Sequence, residues 1–355
     1  MSPRAHTVVI VLGLLALGLV ALLVLTAAGS TGSYGPGEVL RGLGAVIGVA
    51  DPLPAIDQGI LEIRFWRNLV ALLVGGSLSL AGAYLQGLFR NPLASPALLG
   101  VTGGAGFGAT SALLWLAPGP MGLVARELGI RSFLVVPLAA LLGSLLSMTV
   151  LLGLGFRLGR SSITQLLLIG IALTSLWGGL TALVQNLALD QYDVSRAIVA
   201  WGLGSLDDRG PWHAIIVTCS LAIGLLAIPF LGRALDLFAM GEEDAQTLGV
   251  HPGRVRLMTV LVTSILSAGA VAVAGQIAFI GLIVPNLVRI RWGAGHARLL
   301  PASVLVGGVF LLGLDSVQRI FFPDAMLRPG VLLALVGAPF FLFLLIRQGR
   351  EVGPW

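Results

Sequence analysis

Asp315 is the acid in this chain whose setting most invites a chemical role. It lies in the apolar run VFLLGLDSVQRIFF, where an ionised carboxylate is costly and by default marks an ion or proton path. Arg319 follows four residues later on the same helical face, so a local ion pair is the plainer reading and the one favoured here. A proton-coupled carrier would need more than one such group in its bundle. Arg64 and Arg67 are a second candidate, three residues apart at the head of an apolar run. They can anchor a helix at the membrane interface or offer two guanidinium forks to a partner's carboxylates; their spacing does not choose. The third group is Glu242, Glu243 and Asp244, directly after Gly241. Acids suit a helix's first turn because its free N–H groups and dipole are positive there. Ala245 and Leu248 then share one face, and Gly249 is placed to end the helix in a left-handed conformation.

Other chemistries find no support. His6, His213, His251 and His296 are scattered, give no metal-ligand spacing, and are expected at surfaces or interfaces. No G-x-S-x-G, H-E-x-x-H or paired carboxylate inside a span occurs, which argues against an intramembrane enzyme. Cys219, the one cysteine, sits in an apolar run and is expected as a passive buried thiol. All 21 basic residues are arginine. A phosphate-binding loop of the G-x-x-x-x-G-K type needs a lysine, so no such loop exists in this chain. The pI near 10.5 comes from arginines at span ends, where they set orientation, rather than from a nucleic-acid surface.

The elements holding these residues are membrane helices. With 57% hydrophobic residues, 10% charged residues and a mean hydropathy of +0.99, the chain reads as an all-α polytopic membrane protein: the apolar runs are long enough to cross and lack the alternation of barrel strands. The runs 8–28, 66–86, 94–117, 132–156, 163–188, 212–231, 256–274, 276–292, 299–321 and 330–347 make ten spans in a single domain, 1–355. The first is read as a retained span, too long for a cleaved signal segment. Residues 30–62, with one short helix, 118–131 and 189–211 form loops on the side away from the termini. Twelve of the 21 arginines fall on the side of the termini, which places both termini and the island 232–256 in the cytoplasm, with the three loops periplasmic. The island reads as two short helices hinged at Gly241. The 49 glycines, in clusters such as Gly75, Gly76, Ser79 and Gly104, Gly106, Gly108, suit close helix approach.

From about Ile63 to Arg347 the chain resembles the FecCD family of ABC importer permeases, which serve iron–siderophore, haem and cobalamin uptake. The likeness rests on an ordered set of motifs: Arg64 and Arg67; Gly82 to Gln86; Arg90-Asn91-Pro92-Leu93-Ala94 with Pro96; Leu99-Gly100; Gly104-Ala105; Trp201-Gly202 with Gly204-Ser205-Leu206; Gly241 to Gly249; Gly275, Ile277, Phe279, Gly281, Leu282 and Pro285; and Gly337-Ala338-Pro339-Phe340-Phe341. The chain departs at Asn286, where the family usually has His, and at Leu327-Arg328-Pro329-Gly330 before the last span.

The resemblance implies a subunit of the cytoplasmic (inner) membrane that pairs with a second permease, taken here as another copy, around a central path. Two ATPase subunits holding ATP and magnesium and an extracytoplasmic binding protein complete such an importer, with no cofactor or metal bound by this chain. It implies that Gly241, Glu242, Glu243, Asp244, Ala245, Leu248 and Gly249 couple to the ATPase and that Arg64 and Arg67 face acids of the binding protein. It implies that the span Ile163–Leu187 lines the path with Thr174, Ser175, Gln185 and Asn186, and that Val194–Leu206 forms an outer gate with Trp201, Gly202, Gly204 and Ser205. The expected function is import of a metal chelate, an iron–siderophore first among them, by ATP-driven alternating access. The alternative from another class is an ion-coupled secondary transporter without an ATPase, which calls for broken helices and buried ionisable groups; a receptor or channel-like scaffold has no positive feature.

Overall fold

The structure is a computed structural model that describes the backbone of residues 3–27, 34–46, 48–116, 132–157, 163–322 and 327–350, and the side chains of 11–27, 34–46, 48–116, 134–155, 165–322 and 327–342. The expected loop 118–131 lies outside the described residues, as do the side chains of Arg4 and His6. The described chain is helical throughout: α1 Pro3–Ala27, α2 Pro36–Val46, α3 Ala55–Phe89, a 3₁₀ turn Pro96–Leu99, α4 Val101–Leu116, α5 Ser132–Arg157, α6 Ile163–Leu187, α7 Tyr192–Gly202, α8 Pro211–Met240, α9 Glu242–Thr247, α10 Pro252–Ala274, α11 Ile280–Trp292, α12 His296–Phe321 and α13 Pro329–Arg350. Six of these, α3, α5, α6, α8, α10 and α12, are long and apolar enough by themselves to cross a membrane.

α3 and α10 form the centre, with 83% and 78% of their apolar windows buried, while α6 lies at the rim with 22%. Small residues set this arrangement. A Cβ on Gly75 would lie 2.2 Å from the carbonyl oxygen of Gly307, and one on Gly82 would lie 1.8 Å from that of Gly281. α3 therefore touches α12 and α11 backbone to backbone. In a membrane, where lipid is as apolar as the side chains, such packing holds helices together in place of hydrophobic burial. Gly104 and Gly143 bring α4 and α5 together in the same way.

The structure corrects several expected boundaries. The island does not hold two separate short helices: its first half continues α8 without interruption to Met240. Gly241, with φ 138°, then breaks the chain before α9. The segment 30–62 contains α2 and the start of α3, and 189–211 contains α7. The spans expected at 94–117 and 276–292 begin later, at Val101 and Ile280, each after an irregular stretch. Cys219 is exposed on α8 rather than buried. His213 and His296 are buried, contrary to the surface setting expected of them, while His251 is exposed. Each buried histidine works at a helix start: His213 Nδ1 accepts from Gly210 N at 3.2 Å, and His296 is the first residue of α12.

Candidate functional site

The two irregular stretches lead to the site. Non-helical backbone at membrane depth is tolerated only where protein or a cavity satisfies it, and side chains from neighbouring helices meet the first break and the first turn of α11 after the second. Thr174 Oγ1 donates to Ala97 O at 3.3 Å, Ser147 Oγ to Gly100 O at 2.9 Å, and Asn286 Nδ2 to Pro92 O at 2.9 Å. Gln86 Nε2 donates to Gly281 O at 3.2 Å. Where the breaks face each other they border a cavity of about 610 Å³. Ser95 and Ala97 line it from one break, Gln276 to Phe279 from the other, and Trp201 and Gly202 from the end of α7.

The cavity sorts the expected path residues. Thr174 and Gln185 line it together with Gly178 and Thr181, whereas Ser175 and Asn186 do not. Steps of four, three and four residues put 174, 178, 181 and 185 on one helical stripe, so this lining was readable from spacing alone. Thr102, Thr110, Gln276 and Phe279 were missed. Gly275 and Gly100, both at positive φ, are the signal that could have exposed the breaks beside them, because glycine commonly marks such a turn.

The expected gate divides as well. Trp201 and Gly202 line the cavity, while Gly204 and Ser205 act behind it. Ser205 N donates to Ala274 O at 2.8 Å, satisfying the last turn of α10. A Cβ on Gly275 would lie 2.4 Å from Trp201 O, so the end of α7 and the second break are in backbone contact.

Beyond the loop stands an ionic cluster. Arg67 donates to Asp315 from Nε at 2.9 Å and from Nη2 at 2.8 Å, and its Nη1 binds Asp207. Arg319 Nε lies 3.1 Å from Asp315, the expected local pair, and its Nη2 donates to Asn68 Oδ1 at 2.7 Å. Arg328 Nη1 is 3.5 Å from the second oxygen of Asp207. Burial pushes the Asp207 carboxyl up, but Arg67, the Ser205 hydroxyl and Arg328 together hold it below the ordinary carboxylate range. Arg64 donates to Ala27 O at 3.3 Å and stacks over Tyr34. Of the two arginines expected to anchor the helix or to meet a partner's acids, Arg64 is buried and Arg67 is engaged within the chain by Asp315 and Asp207.

At the opposite end lies the island. Glu242 pairs with Arg256, Nε to Oε1 at 3.2 Å, which leaves Glu243 and Asp244 exposed at the start of α9. Gly249 has φ 82° and ends the helix as expected. Ala245 and Leu248 do not share an environment: Ala245 is fully buried, and Leu248 is 59% exposed. Met240, at the end of α8, and Met258, in α10, are exposed apolar side chains. Further in, Asn286 donates to Pro92 O and Leu282 O and accepts from Arg289 Nη1 at 2.8 Å. The amide serves two acceptors and one donor at once, which a neutral imidazole with one donor and one acceptor cannot do. Among the described residues no group of His, Cys, Asp and Glu is set to hold a metal ion.

The profile of the FecCD transport family matches residues 7–347. The hemin transport system permease protein HmuU of Yersinia pestis is 37% identical over 294 residues, covering 82% of this chain and 84% of that protein. The Fe(3+) dicitrate transport system permease protein FecD of Escherichia coli is 37% identical over 290 residues, covering 81% and 85%. A solved structure described as an inward-facing conformation of a metal-chelate type ABC transporter superposes with a TM-score of 0.76 at 29% identity, covering 95% of this chain and 99% of that one.

Proposed function

The chain belongs to the FecCD transport family of ABC importer permeases, and from that premise we propose that it carries a metal chelate, an iron–siderophore complex before haem or cobalamin, across the cytoplasmic membrane. The observation that carries the cargo class is the lining of the cavity. Hydroxyls of Ser95, Thr102, Thr110, Thr174 and Thr181, amides of Gln185 and Gln276, and the rings of Trp201 and Phe279 surround it, with no ionisable side chain among them. A pore for a bare ion or small oxyanion uses charged or dipolar rings at close range. A cavity of this volume with dispersed neutral polar groups suits an organic chelate that hides its metal.

The working cycle is alternating access. Nucleotide-driven closure of two ATPase subunits moves the segment Gly241 to Gly249, tilts the spans and switches the cavity between the two faces. A binding protein delivers cargo at the face bearing Trp201. The exposed α6 meets a second copy of the chain across the path, and both termini lie in the cytoplasm. The breaks beside the cavity are also what an ion-coupled carrier would show, but such a carrier needs ionisable groups on the path, and Asp315 is spent on Arg67 and Arg319.

Uptake into liposomes holding this permease, its ATPase and its binding protein tests the proposal. The expected result is ATP-dependent entry of a ferric siderophore in preference to haem and cobalamin. Uptake that survives ATP depletion while a proton gradient is held would establish the carrier reading instead.

A further inference from the structure

α3 and α12 are bound into one block with a polar hook at each end, and we propose that this block transmits motion of the coupling segment to the outer gate. The inference rests on the importer reading above and adds the internal route by which its two ends communicate.

The block is defined by contacts that leave no room to slide. Besides the Gly75 contact, a Cβ on Gly76 would lie 3.0 Å from Val304 O, and one on Gly308 would lie 2.7 Å from Leu72 O. The two backbones therefore touch over consecutive turns, and close-packed interiors pass displacement on rather than absorb it. The two-pronged pair of Arg67 and Asp315 closes the outer end.

One hook is at His296. Its backbone N–H donates to Asp236 Oδ1 at 3.0 Å, and its ring Nδ1 lies 2.7 Å from the same oxygen. Asp236 belongs to the last turns of α8, which run unbroken to Met240, and Gly241 and α9 follow at once. A push on α9 crosses the Gly241 break into the end of α8, runs back along continuous helix from Met240 to Asp236, and passes to α12 through one carboxylate. The other hook is at Arg67, whose Nη1 holds Asp207 in the loop behind Trp201 and Gly202. Asp315 lies 19 residues beyond His296, roughly 28 Å along the helix at its usual rise, so the two hooks sit near opposite membrane faces. The route is a contiguous chain of packed and hydrogen-bonded groups, the physical form that coupling between distant sites takes when a rigid element has two positions. Asp236 and Asp207 are positioning residues: neither lines the cavity and neither belongs to α9.

The test uses the whole importer in liposomes. Gly202→Cys, made in a Cys219→Ser background, reports the gate, since nothing lies within 4 Å of a Cβ at Gly202. A membrane-impermeant maleimide reads its accessibility with and without trapped nucleotide. We expect nucleotide to change the labelling rate at least about tenfold in this background, and less than about twofold once Asp207→Asn or Asp236→Asn is added. ATPase co-purification and ATP hydrolysis persist in both variants, and Asp207→Glu restores the response. Both asparagine variants keeping the full response would overturn the inference, as would Asp207→Glu failing like Asp207→Asn. A reporter that ignores nucleotide in the unmutated background would overturn the importer reading itself, and this inference with it.

Discussion

Arg67 and Asp315, 248 residues apart in sequence, form a two-pronged ion pair between α3 and α12, and the carboxylate is fully buried. Arg319, the neighbour that sequence spacing offered, is its second partner. Asp315→Asn removes the one ionised acid that both guanidiniums share. Breaking a buried pair in this way costs about 3–5 kcal/mol, and the expected readout is an unfolding midpoint well below that of the parent in detergent. Replacing Arg67, Asp315 and Arg319 together by apolar residues of similar volume should recover much of that loss. A variant Asp315→Asn of parental stability that has lost transport would show instead that the carboxylate serves the transport step.

Helix approach gives a sharper contrast. At Gly82 a methyl group has no space against Gly281, whereas at Gly178 nothing lies within 4 Å of the added carbon. Gly82→Ala must force α3 and α11 apart, at about 1–3 kcal/mol or more. Gly178→Ala should be neutral, or stabilising by about 0.5–1 kcal/mol through the lower flexibility of the unfolded chain. Thermal unfolding of the two variants side by side measures the difference, and equal midpoints would contradict the packing described.

What was legible in the sequence followed from periodicity and from residue types with one strong preference. Long apolar runs gave the helices, and Gly249 after three acids gave α9. The breaks before α4 and α11 stayed hidden because residues 91–100 and 275–279 are about as apolar as the helices they interrupt. Carbonyls of the first break are met by Thr174, Ser147 and Asn286, partners remote in sequence. The same holds for Arg67. Spacing placed it on a helical face, but Asp207 and Asp315 come from distant segments.

The gate loop should be insensitive to pH over the physiological range. The Asp207 carboxyl is held below its ordinary range, so the tie to Arg67 and Arg328 is fully present above the unfolded pKa and is lost only as pH falls through the lowered folded value. Labelling of a cysteine at position 202 at fixed nucleotide state, corrected for the thiolate fraction, should therefore stay flat between about pH 5 and about pH 8. A transition inside that window would mean that another group controls the loop.

The segment Gly241 to Gly249, proposed above to couple to the ATPase, has one part buried within the chain and another exposed. Ala245 is fully buried and its N–H donates to Gly241 O at 3.0 Å, so Ala245→Pro deletes a bond in a six-residue helix and brings the ring against the preceding turn. Its loss of ATPase binding would report a collapsed α9. Leu248 is different: it is exposed, as are Glu243 and Asp244 on the same short helix. Leu248→Asp removes no internal contact of a buried side chain, and surface changes of this kind shift stability by no more than about 0.5 kcal/mol. Seated in a partner's groove, the same aspartate would be a buried unpaired charge, and affinity for the ATPase should fall at least about tenfold. Co-purification with the ATPase alongside a melting curve of the permease alone distinguishes the two: lost binding with an unchanged midpoint assigns Leu248 to the contact, and retained binding removes it.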